Sequence, residues 1–368
     1  MPRYIGLISG TSMDGIDAAL IEVAGESISL QAYLEVPYPA DLREELDRTV
    51  TTGTASLPGL AALHVRIGRE FSAAALSLLG DAGHSSEDVA AIGSHGQTIW
   101  HAPTGQFPCT LQIGDGASIA VHTGLPTVCD FRSADVALGG QGAPLVPLFH
   151  EALFGHAGKP TAVVNIGGIA NLTLLAGDGS GELVAFDTGP GNTLMDCWIS
   201  QQRGLPFDEA GAWARGGRKH SGLLERLLAE PYFTRMAPKS TGRELFNLAW
   251  LRERLATEAW QAPEDVQRTL LELTAVTIAK DIQLHQSGGD AVFVCGGGAR
   301  NVLLMERLAA LLPGRRVRGT DEVGVPAAAL EAMAFGWLAH QRMTGQAGNA
   351  PSVTGASRPS ILGALYLP

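Results

Sequence analysis

A repeated order of predicted strands constrains the fold of this chain more than any other feature of its sequence. Three consecutive apolar runs within residues 4–36 alternate with short turns, so each run is predicted to form a β-strand. The same order of three returns within residues 161–187, and helical and strand patterns alternate after both trios. The sequence therefore predicts an α/β protein in which one domain design occurs twice.

The length and composition of the chain are consistent with two domains. With 368 residues, of which 45% are hydrophobic and 17% are charged, the chain can bury two cores. We expect an N-terminal domain over residues 1–135 and a C-terminal domain over residues 136–351. We also expect the last segment, residues 352–368, to return to the first domain and complete it.

Charge and residue usage argue against several classes of protein. The formal net charge is −11 and no basic block interrupts it, so nucleic acid is not an expected partner. No signal-peptide pattern and no membrane-spanning apolar run are found, which favours a soluble, cytoplasmic protein with no membrane partner. The four cysteines are far apart and form no CxxC pair, so buried free thiols are expected rather than disulfides or a zinc site.

The 46 glycines are the informative excess, because many of them cluster where apolar runs end and a backbone must turn tightly or approach a ligand. None of these clusters is a P-loop or a Rossmann fingerprint. Three clusters stand at matching places in the predicted order. They comprise Gly10, Thr11, Ser12, Met13, Asp14, Gly15, Ile16 and Asp17 after the first strand, Asn165, Gly167 and Gly168 after the first strand of the second trio, and Gly296, Gly297, Gly298 and Asn301 before a late helix.

With these three clusters the chain resembles the actin, hexokinase and Hsp70 class of ATP-binding folds. The resemblance implies two duplicated ribonuclease-H-like domains with a central cleft for ATP and substrate. Backbone N–H groups and hydroxyls of two hairpins can hold a triphosphate without a lysine if Mg²⁺ neutralises the remaining charge. Asp14 or Asp17 would then position the metal. We take Asp14 as the candidate ligand, directly or through water, although its sequence context alone slightly favours a plain turn residue.

Asp187 is the candidate catalytic residue. It stands at the end of a predicted strand, and a rigid Gly-Pro-Gly turn follows it before a helix. A carboxylate held in this way has little freedom to move, which suits a general base. The alternative, a helix-capping or turn role, is stronger for Asn192 than for Asp187.

Four further residues are candidates for binding a sugar or a carboxylate. His95 and Gln97 lie in one polar segment at a strand end, and Arg132 in another, and together they mix the groups that such a site uses. Arg132 can hold a carboxylate with two hydrogen bonds, whereas for His95 alone a hydrogen-bonded structural role is the safer interpretation. Glu331 lies inside an apolar helical run, so it is either solvent-facing or directed into the site.

Long segments spread over the whole chain resemble the anhydro-N-acetylmuramic acid kinase family. In order, they read GLISGTSMDGIDAAL, GSHGQTIWH, DFRSADVALGGQGAPLVP, NIGGIANLT, FDTGPGNTLMD, PKSTGRELFN, CGGGARN and GALYLP. The resemblance implies an ATP- and Mg²⁺-dependent enzyme of cell-wall recycling that opens 1,6-anhydro-N-acetylmuramic acid and yields N-acetylmuramic acid 6-phosphate and ADP. It places the water-activating base at Asp187 and sugar contacts at Arg132 and Glu331, and it implies a homodimer.

Two other functions remain open on the sequence. An ordinary kinase of the superfamily would use Asp187 to deprotonate a free hydroxyl of a sugar or a carboxylate substrate. A nucleotide-switched interaction protein would hydrolyse ATP slowly and without a sugar. The segment 238–243 matches the family, but the sequence assigns it no role beyond a helix-capping loop.

Overall fold

The computed structural model describes residues 1–10, 13–155, 158–177, 183–255 and 262–368. Thr11 and Ser12 of the first glycine cluster therefore lie outside the described residues. The chain divides into two compact units. Unit 1 comprises Met1–Leu153 and Ala329–Pro368, and unit 2 comprises Phe154–Ala328.

The first part of unit 1 alternates strands and helices. It contains β1 (Arg3–Ser9), β2 (Gly15–Ala24), β3 (Ser27–Pro37), α1 (Ala40–Thr52), α2 (Leu57–Asp81), β4 (Ala91–Ala102), β5 (Cys109–Ile113), α3 (Gly116–Thr123), β6 (Thr127–Cys129), α4 (Ser133–Ala137) and α5 (Val146–Phe154).

Unit 2 and the returning segment follow. Unit 2 contains β7 (Thr161–Ile166), β8 (Ile169–Leu175), β9 (Val184–Pro190), α6 (Thr193–Arg203), α7 (Ala212–Gly216), α8 (Ser221–Leu228), α9 (Leu248–Leu255), α10 (Pro263–His285), β10 (Ala291–Cys295), α11 (Val302–Leu311) and β11 (Arg316–Gly319). The chain then returns to unit 1 with α12 (Leu330–Met343), α13 (Pro351–Thr354) and β12 (Ala364–Tyr366).

The two sheets share one strand order. In unit 1 the order is β12-β6-β4-β1-β2-β3, where β1 pairs antiparallel with β2 and parallel with β4, and β5 pairs with β4 beside this path. In unit 2 the order is β11-β10-β7-β8-β9, where β7 pairs antiparallel with β8 and parallel with β10. Each unit thus has an antiparallel meander followed by parallel strands, the ribonuclease-H-like order, so the predicted duplication of an α/β design is confirmed.

Glycines allow α12 to pack closely on the sheet of unit 1. A Cβ atom built on Gly6 of β1 would lie 1.7 Å from the carbonyl oxygen of Ala332, and one on Gly93 of β4 would lie 2.0 Å from that of Phe335. Neither distance is possible for real atoms, so α12 can cover these strands only where both residues lack a side chain. The other face of the sheet is covered by α2, through buried residues such as Ile67 and Phe71.

The position of α12 explains why the chain returns to unit 1 earlier than predicted. The sequence placed the change of domain after residue 135 and the return at residue 352, whereas the first change follows Leu153 and the return begins at Ala329. An apolar helix does not reveal in its own sequence which sheet it covers. The last strand, β12, pairs antiparallel with β6 and completes the sheet of unit 1.

Helix α10 supports the site-bearing part of unit 2. Its residues are buried along most of its length, and it packs against β8 and β9. The hydroxyl oxygen of Thr274 lies 3.0 and 2.9 Å from the carbonyl oxygens of Pro190 and Gly191, so its one proton is shared between these two acceptors. Helix α10 therefore fixes the turn between β9 and α6 through Thr274. The sequence predicted a rigid connection at this turn.

Two local expectations differ from the structure. Strand β4 extends to Ala102, because its second half, from Gln97 onwards, pairs antiparallel with β5. Cys109 is exposed on β5, whereas buried thiols were expected; Cys295 is buried, and Cys129 and Cys197 are partly buried. No helix among the described residues has the length and apolar character needed to cross a bilayer.

Candidate functional site

The first glycine cluster joins β1 to β2 in unit 1. The N–H of Met13 donates to the carbonyl oxygen of Gly10 at 3.2 Å, and Met13 adopts a φ of 54°, so the turn is tight. A Cβ atom on Gly15 would lie 2.4 Å from the carbonyl oxygen of Val36. Ile16 is 1% exposed and belongs to the core, so its side chain cannot contact ATP, and only its backbone remains a candidate.

The two carboxylates of this cluster have protein partners. Asp14 is exposed and forms an ion pair with Arg43 at 2.6 Å. Asp17 accepts a hydrogen bond from the hydroxyl of Tyr33, and burial raises the pKa of Asp17 while this bond lowers it. The described residues contain no group of three His, Cys, Asp or Glu side chains placed to hold a metal. This donor set fits only a magnesium ion that takes most of its ligands from phosphate and water.

Gln97 holds the β1–β2 turn in place. It is fully buried; its amide oxygen accepts from the hydroxyl of Ser9 at 2.6 Å, and its amide nitrogen donates to the carbonyl oxygens of Gly10 and Thr98 at 3.2 and 3.3 Å. A sugar contact would have to replace these bonds. The geometry therefore favours a supporting role for Gln97 over the predicted contact with substrate.

His95 orients Arg132. Its Nδ1 lies 3.0 Å from the carbonyl oxygen of Gly96, and its Nε2 accepts from Nε of Arg132 at 2.9 Å, which assigns the proton to Nδ1. Burial and the neighbouring guanidinium hold the pKa of His95 well below its usual range, so the ring is neutral. Arg132 also donates to the carbonyl oxygen of Gly142 at 2.7 Å. The histidine is thus the structural one that the sequence left as an alternative.

The charges of Arg132 and Asp17, both in unit 1, act on the pKa of Glu331. Burial raises the pKa of Glu331, the charge of Arg132 lowers it and the charge of Asp17 raises it. Glu331 is exposed as a residue at the start of α12, whereas its carboxyl group has enough protein around it for desolvation to be the main cause of its raised pKa. Burial lowers the pKa of Arg132 to about 10, while the negative charges of Glu331 and Asp135 raise it. The structure brings these two predicted sugar contacts together beside the first hairpin.

The second cluster forms the β7–β8 turn in unit 2. The carbonyl oxygen of Gly167 accepts from the N–H of Asn192 at 2.8 Å, and that of Gly168 accepts from the N–H of Thr193 at 3.1 Å. The amide nitrogen of Asn192 also donates to the carbonyl oxygen of Ile166 at 3.1 Å. The glycine turn is thus fixed to the N-terminus of α6.

The third cluster packs against the second. Gly296 has a φ of 75°, and a Cβ atom there would lie 2.3 Å from Oδ1 of Asn165; one on Gly298 would lie 2.3 Å from the side chain of Ile166. Asn301 is buried, and its Oδ1 accepts from the N–H of Leu304, so it caps α11. The predicted ATP residues of unit 2 therefore form one continuous surface.

Two cavities adjoin this surface. One has a volume of about 440 Å³ and the other about 620 Å³. Their shared walls include Asn192, Asp196 and Gly297. Phe207, Asp208, Arg300 and Asn301 line the first cavity, and Gly167, Gly168, Thr193 and Arg243 line the second. Of these, Asp196, Phe207, Asp208, Thr193 and Arg243 were not predicted, because none of them belongs to a glycine cluster. Arg300 stands inside the third cluster but was not among the predicted site residues.

Asp187 lies half-buried on β9 and is held from several sides. Its Oδ2 accepts from the N–H of Thr241 at 3.0 Å, its N–H donates to the carbonyl oxygen of Lys239 at 3.0 Å, and its carbonyl oxygen accepts from the hydroxyl of Tyr232 at 2.7 Å. Burial raises the pKa of Asp187 to about 6; the bond from Thr241 lowers it and the charge of Glu244 raises it. Such a value suits a group that exchanges protons near neutral pH.

The segment Pro238–Arg243, which had no assigned role, supplies this support. Nζ of Lys239 lies 3.1 Å from Oδ2 of Asp281, and both side chains are almost fully buried. The same Nζ lies 5.3 Å from the ring centroid of Tyr232 and 5.5 Å from that of Phe186. A buried ion pair between aromatic rings therefore fixes the segment beside Asp187. Sequence alone could not pair Lys239 with an aspartate forty residues away.

Comparisons with known proteins identify the family of the chain. A sequence model of the anhydro-N-acetylmuramic acid kinase family matches residues 2–368. The chain belongs to this family. It is 50% identical over 367 residues to the anhydro-N-acetylmuramic acid kinase of Vibrio cholerae serotype O1 (strain ATCC 39315 / El Tor Inaba N16961), and the match covers 99% of this chain and 98% of the relative. The prediction of a phosphotransferase is thereby confirmed.

More distant likenesses exist among solved structures. Component A of the Acidaminococcus fermentans (R)-2-hydroxyglutaryl-CoA dehydratase has a TM-score of 0.45 and 11% identity, covering 90% of this chain and 97% of that one. A ROK family glucokinase from Streptomyces griseus, in complex with glucose and AMPPNP, has a TM-score of 0.39 and 15% identity, covering 91% and 99%. The strand order of the two sheets, rather than these scores, carries the fold assignment to the superfamily.

Proposed function

We propose that the protein uses ATP and Mg²⁺ to convert 1,6-anhydro-N-acetylmuramic acid and water into N-acetylmuramic acid 6-phosphate and ADP, as a step of peptidoglycan recycling. Family membership supports the substrate and the phosphoryl transfer. The observation that carries the proposed mechanism is the environment of Asp187. Its carboxylate is fixed by a backbone N–H, and burial places its pKa at about 6, so it is ionised at neutral pH and still a useful base.

The anhydro sugar has no free 6-hydroxyl, because O6 is bonded to C1. In the proposed reaction Asp187 takes a proton from water as the water oxygen bonds to C1. The C1–O6 bond breaks, and O6 receives the γ-phosphoryl group while ADP leaves. The reaction thus joins the base-assisted water attack of an inverting glycosidase to an in-line phosphoryl transfer.

The carboxylate of Asp187 offers one oxygen for this proton. Among the described residues, only the N–H of Thr241 donates to the carboxylate, and it donates to Oδ2. Oδ1 is left to accept from water. The Lys239–Asp281 pair holds the Thr241 segment in place, so the orientation of the base does not depend on the substrate.

Other residues are proposed to bind the substrates. The turn at Gly167 and Gly168, with the surface next to it, would receive the phosphates of ATP through backbone N–H groups. Arg132, oriented by neutral His95, would bind the carboxylate of the sugar, and Glu331 its hydroxyl or amide groups. Bound Mg²⁺ would neutralise phosphate charge, and Asp14 or Asp17 would hold it or its waters.

The experiment compares two sugars. Purified protein is incubated with ATP and Mg²⁺ and either the anhydro sugar or N-acetylmuramic acid, and ADP and sugar phosphate are both measured. Phosphorylation of the anhydro sugar is expected in wild type and in an Asp290→Asn control, which changes a surface ion pair of the same unit. Phosphorylation of N-acetylmuramic acid alone would favour the ordinary kinase. Sugar-independent ATP hydrolysis, unchanged in Asp187→Asn, would favour the nucleotide switch.

A further inference from the structure

Beyond Thr241, the segment that supports the base ends with an exposed arginine at the glycine turn of unit 2. A Cβ atom built on Gly168 would lie 3.5 Å from Nη2 and 3.6 Å from Nε of Arg243. The guanidinium therefore lies directly beside the β7–β8 turn. It also lines the cavity of about 620 Å³ that begins there.

The guanidinium of Arg243 makes no hydrogen bond or ion pair with any residue in the described ranges. Its main electrostatic neighbour is Asp196, on the same cavity wall. Burial raises the pKa of Asp196 to about 6, and the charge of Arg243 opposes this rise, but the two side chains do not come within ion-pair distance. The guanidinium has five N–H donors, and none of the described residues accepts a hydrogen bond from them.

A second polar group at the same place also lacks a partner. Thr193 is 8% exposed, and its Oγ1 makes no hydrogen bond among the described residues. This oxygen lies 2.7 Å from the Cβ position of Gly168, next to the guanidinium of Arg243. Because an unpaired buried hydroxyl is costly, its persistence here points to a ligand that completes its bonding.

Thr193 is also the first residue of α6, a helix of 11 residues. The N-terminus of a helix carries partial positive charge and favours an anion. Four features thus lie on one cavity wall: the Gly168 backbone without a Cβ atom, the hydroxyl of Thr193, the guanidinium of Arg243 and the N-terminus of α6. Together they suit the oxygens of a phosphate group, which takes two bonds from arginine and one from a hydroxyl.

We propose that Arg243 and Thr193, with the N-terminus of α6, form a subsite for the phosphate oxygens that ADP and ATP have in common. This inference rests on the proposed function, because it assumes that ATP binds at the glycine turn. It gives the segment Pro238–Arg243 two roles: Lys239 and Thr241 position the base, and Arg243 binds the nucleotide. The phosphorylated sugar is the other possible source of a phosphate group, and the experiment separates the two.

The test measures affinities by calorimetry for adenosine, ADP, ATP and N-acetylmuramic acid 6-phosphate. Arg243→Ala is expected to weaken ADP and ATP by about 10- to 100-fold and adenosine by less than about twofold, since only phosphates meet the guanidinium. Arg243→Lys should recover part of this loss, because it keeps the charge without the fork of donors. Thr193→Val should weaken ADP by about 3- to 10-fold. Arg218→Ala is the matched control, an exposed arginine of the same unit that does not line the cavity.

Three outcomes would overturn the inference: unchanged ADP and ATP affinity in Arg243→Ala, an equal loss for adenosine, or a loss confined to the sugar phosphate. Thermal unfolding of each variant identifies a folding defect, and a variant that fails this check is replaced by Arg243→Gln. Wild type that neither binds ATP nor phosphorylates the sugar would refute the proposed function itself. If wild type phosphorylates the anhydro sugar and Arg243→Ala keeps the wild-type affinity for ADP, only the subsite is refuted.

Discussion

Replacing Asp187 by asparagine should abolish most activity and, at neutral pH, stabilise the fold. The asparagine side chain can still accept the N–H of Thr241 through its oxygen, but it cannot take a proton from water. General base catalysis contributes about 10²- to 10⁴-fold, so kcat should fall by that factor. Because the pKa of Asp187 is raised to about 6, the kcat of wild type should fall as pH decreases through that value.

The stability effect follows from the same raised pKa. Its displacement from the ordinary value of 3.8 to about 6 corresponds to about 3 kcal/mol, at 1.36 kcal/mol per pKa unit. The native state binds the proton more tightly than the unfolded chain, so this contribution stabilises wild type below pH 3.8 and is lost as pH rises through 6. The Asp187→Asn variant has no carboxyl group to ionise, so it does not lose this stability as pH rises. Its stability advantage should therefore be near zero at pH 3.5 and reach at most about 3 kcal/mol above pH 7.

Two assays check these expectations. A coupled measurement of ADP release from pH 5 to 9 gives kcat, and urea unfolding at the same pH values and at pH 3.5 gives the free energy of unfolding. Asp290→Asn is the control for a change of surface charge and should alter neither profile. A kcat of Asp187→Asn within about tenfold of wild type would refute the role of base. A stability difference that does not vary with pH would refute the assigned burial of the carboxylate.

Three further expectations follow from the contacts around the site. Lys239→Met leaves Asp281 buried without its partner and should cost about 3–5 kcal/mol in urea unfolding, with partial recovery in the double variant that also carries Asp281→Asn; an unaffected single variant would contradict the pairing. Gln97→Leu removes the bonds that hold the β1–β2 turn and should cost about 1–3 kcal/mol and raise the KM for ATP, whereas an effect only on the KM for sugar would restore the predicted sugar contact. Arg132→Lys loses its bonds to His95 and Gly142 and should raise the KM for sugar about tenfold or more with the KM for ATP unchanged; equal effects on both would argue against a sugar contact.

Sequence patterns predicted the parts of the fold that depend on local order. Apolar runs that end in glycine clusters gave the strands β1 and β7, and the repeated order of runs predicted two sheets of the same design. The close approach of α12 to β1 and β4 depends on Gly6 and Gly93, whose partners lie more than two hundred residues away in the sequence. The sequence therefore shows the two glycines, but it does not show which helix packs against them.

In the candidate site, too, the sequence predicted residues in local motifs but not the contacts made by distant parts of the chain. Asp187 was predicted because a carboxylate stands between a strand and a rigid turn. Its support by Thr241 and Lys239 could not be predicted, because those contacts are made by a loop far along the chain. Gln97 was predicted from its polar segment, but a polar residue within a strand can face either a ligand or a buried turn, and burial decides between these. The ATP, magnesium and sugar contacts, and the homodimer, stay predictions.

The central claim is that water, activated by Asp187, opens the anhydro ring during phosphoryl transfer. The most direct measurement is mass spectrometry of the sugar phosphate formed in heavy-oxygen water, with fragmentation to locate the label. The account predicts one heavy oxygen, bonded to C1, and none at O6 or in the phosphoryl group. A product without label at C1 would contradict it.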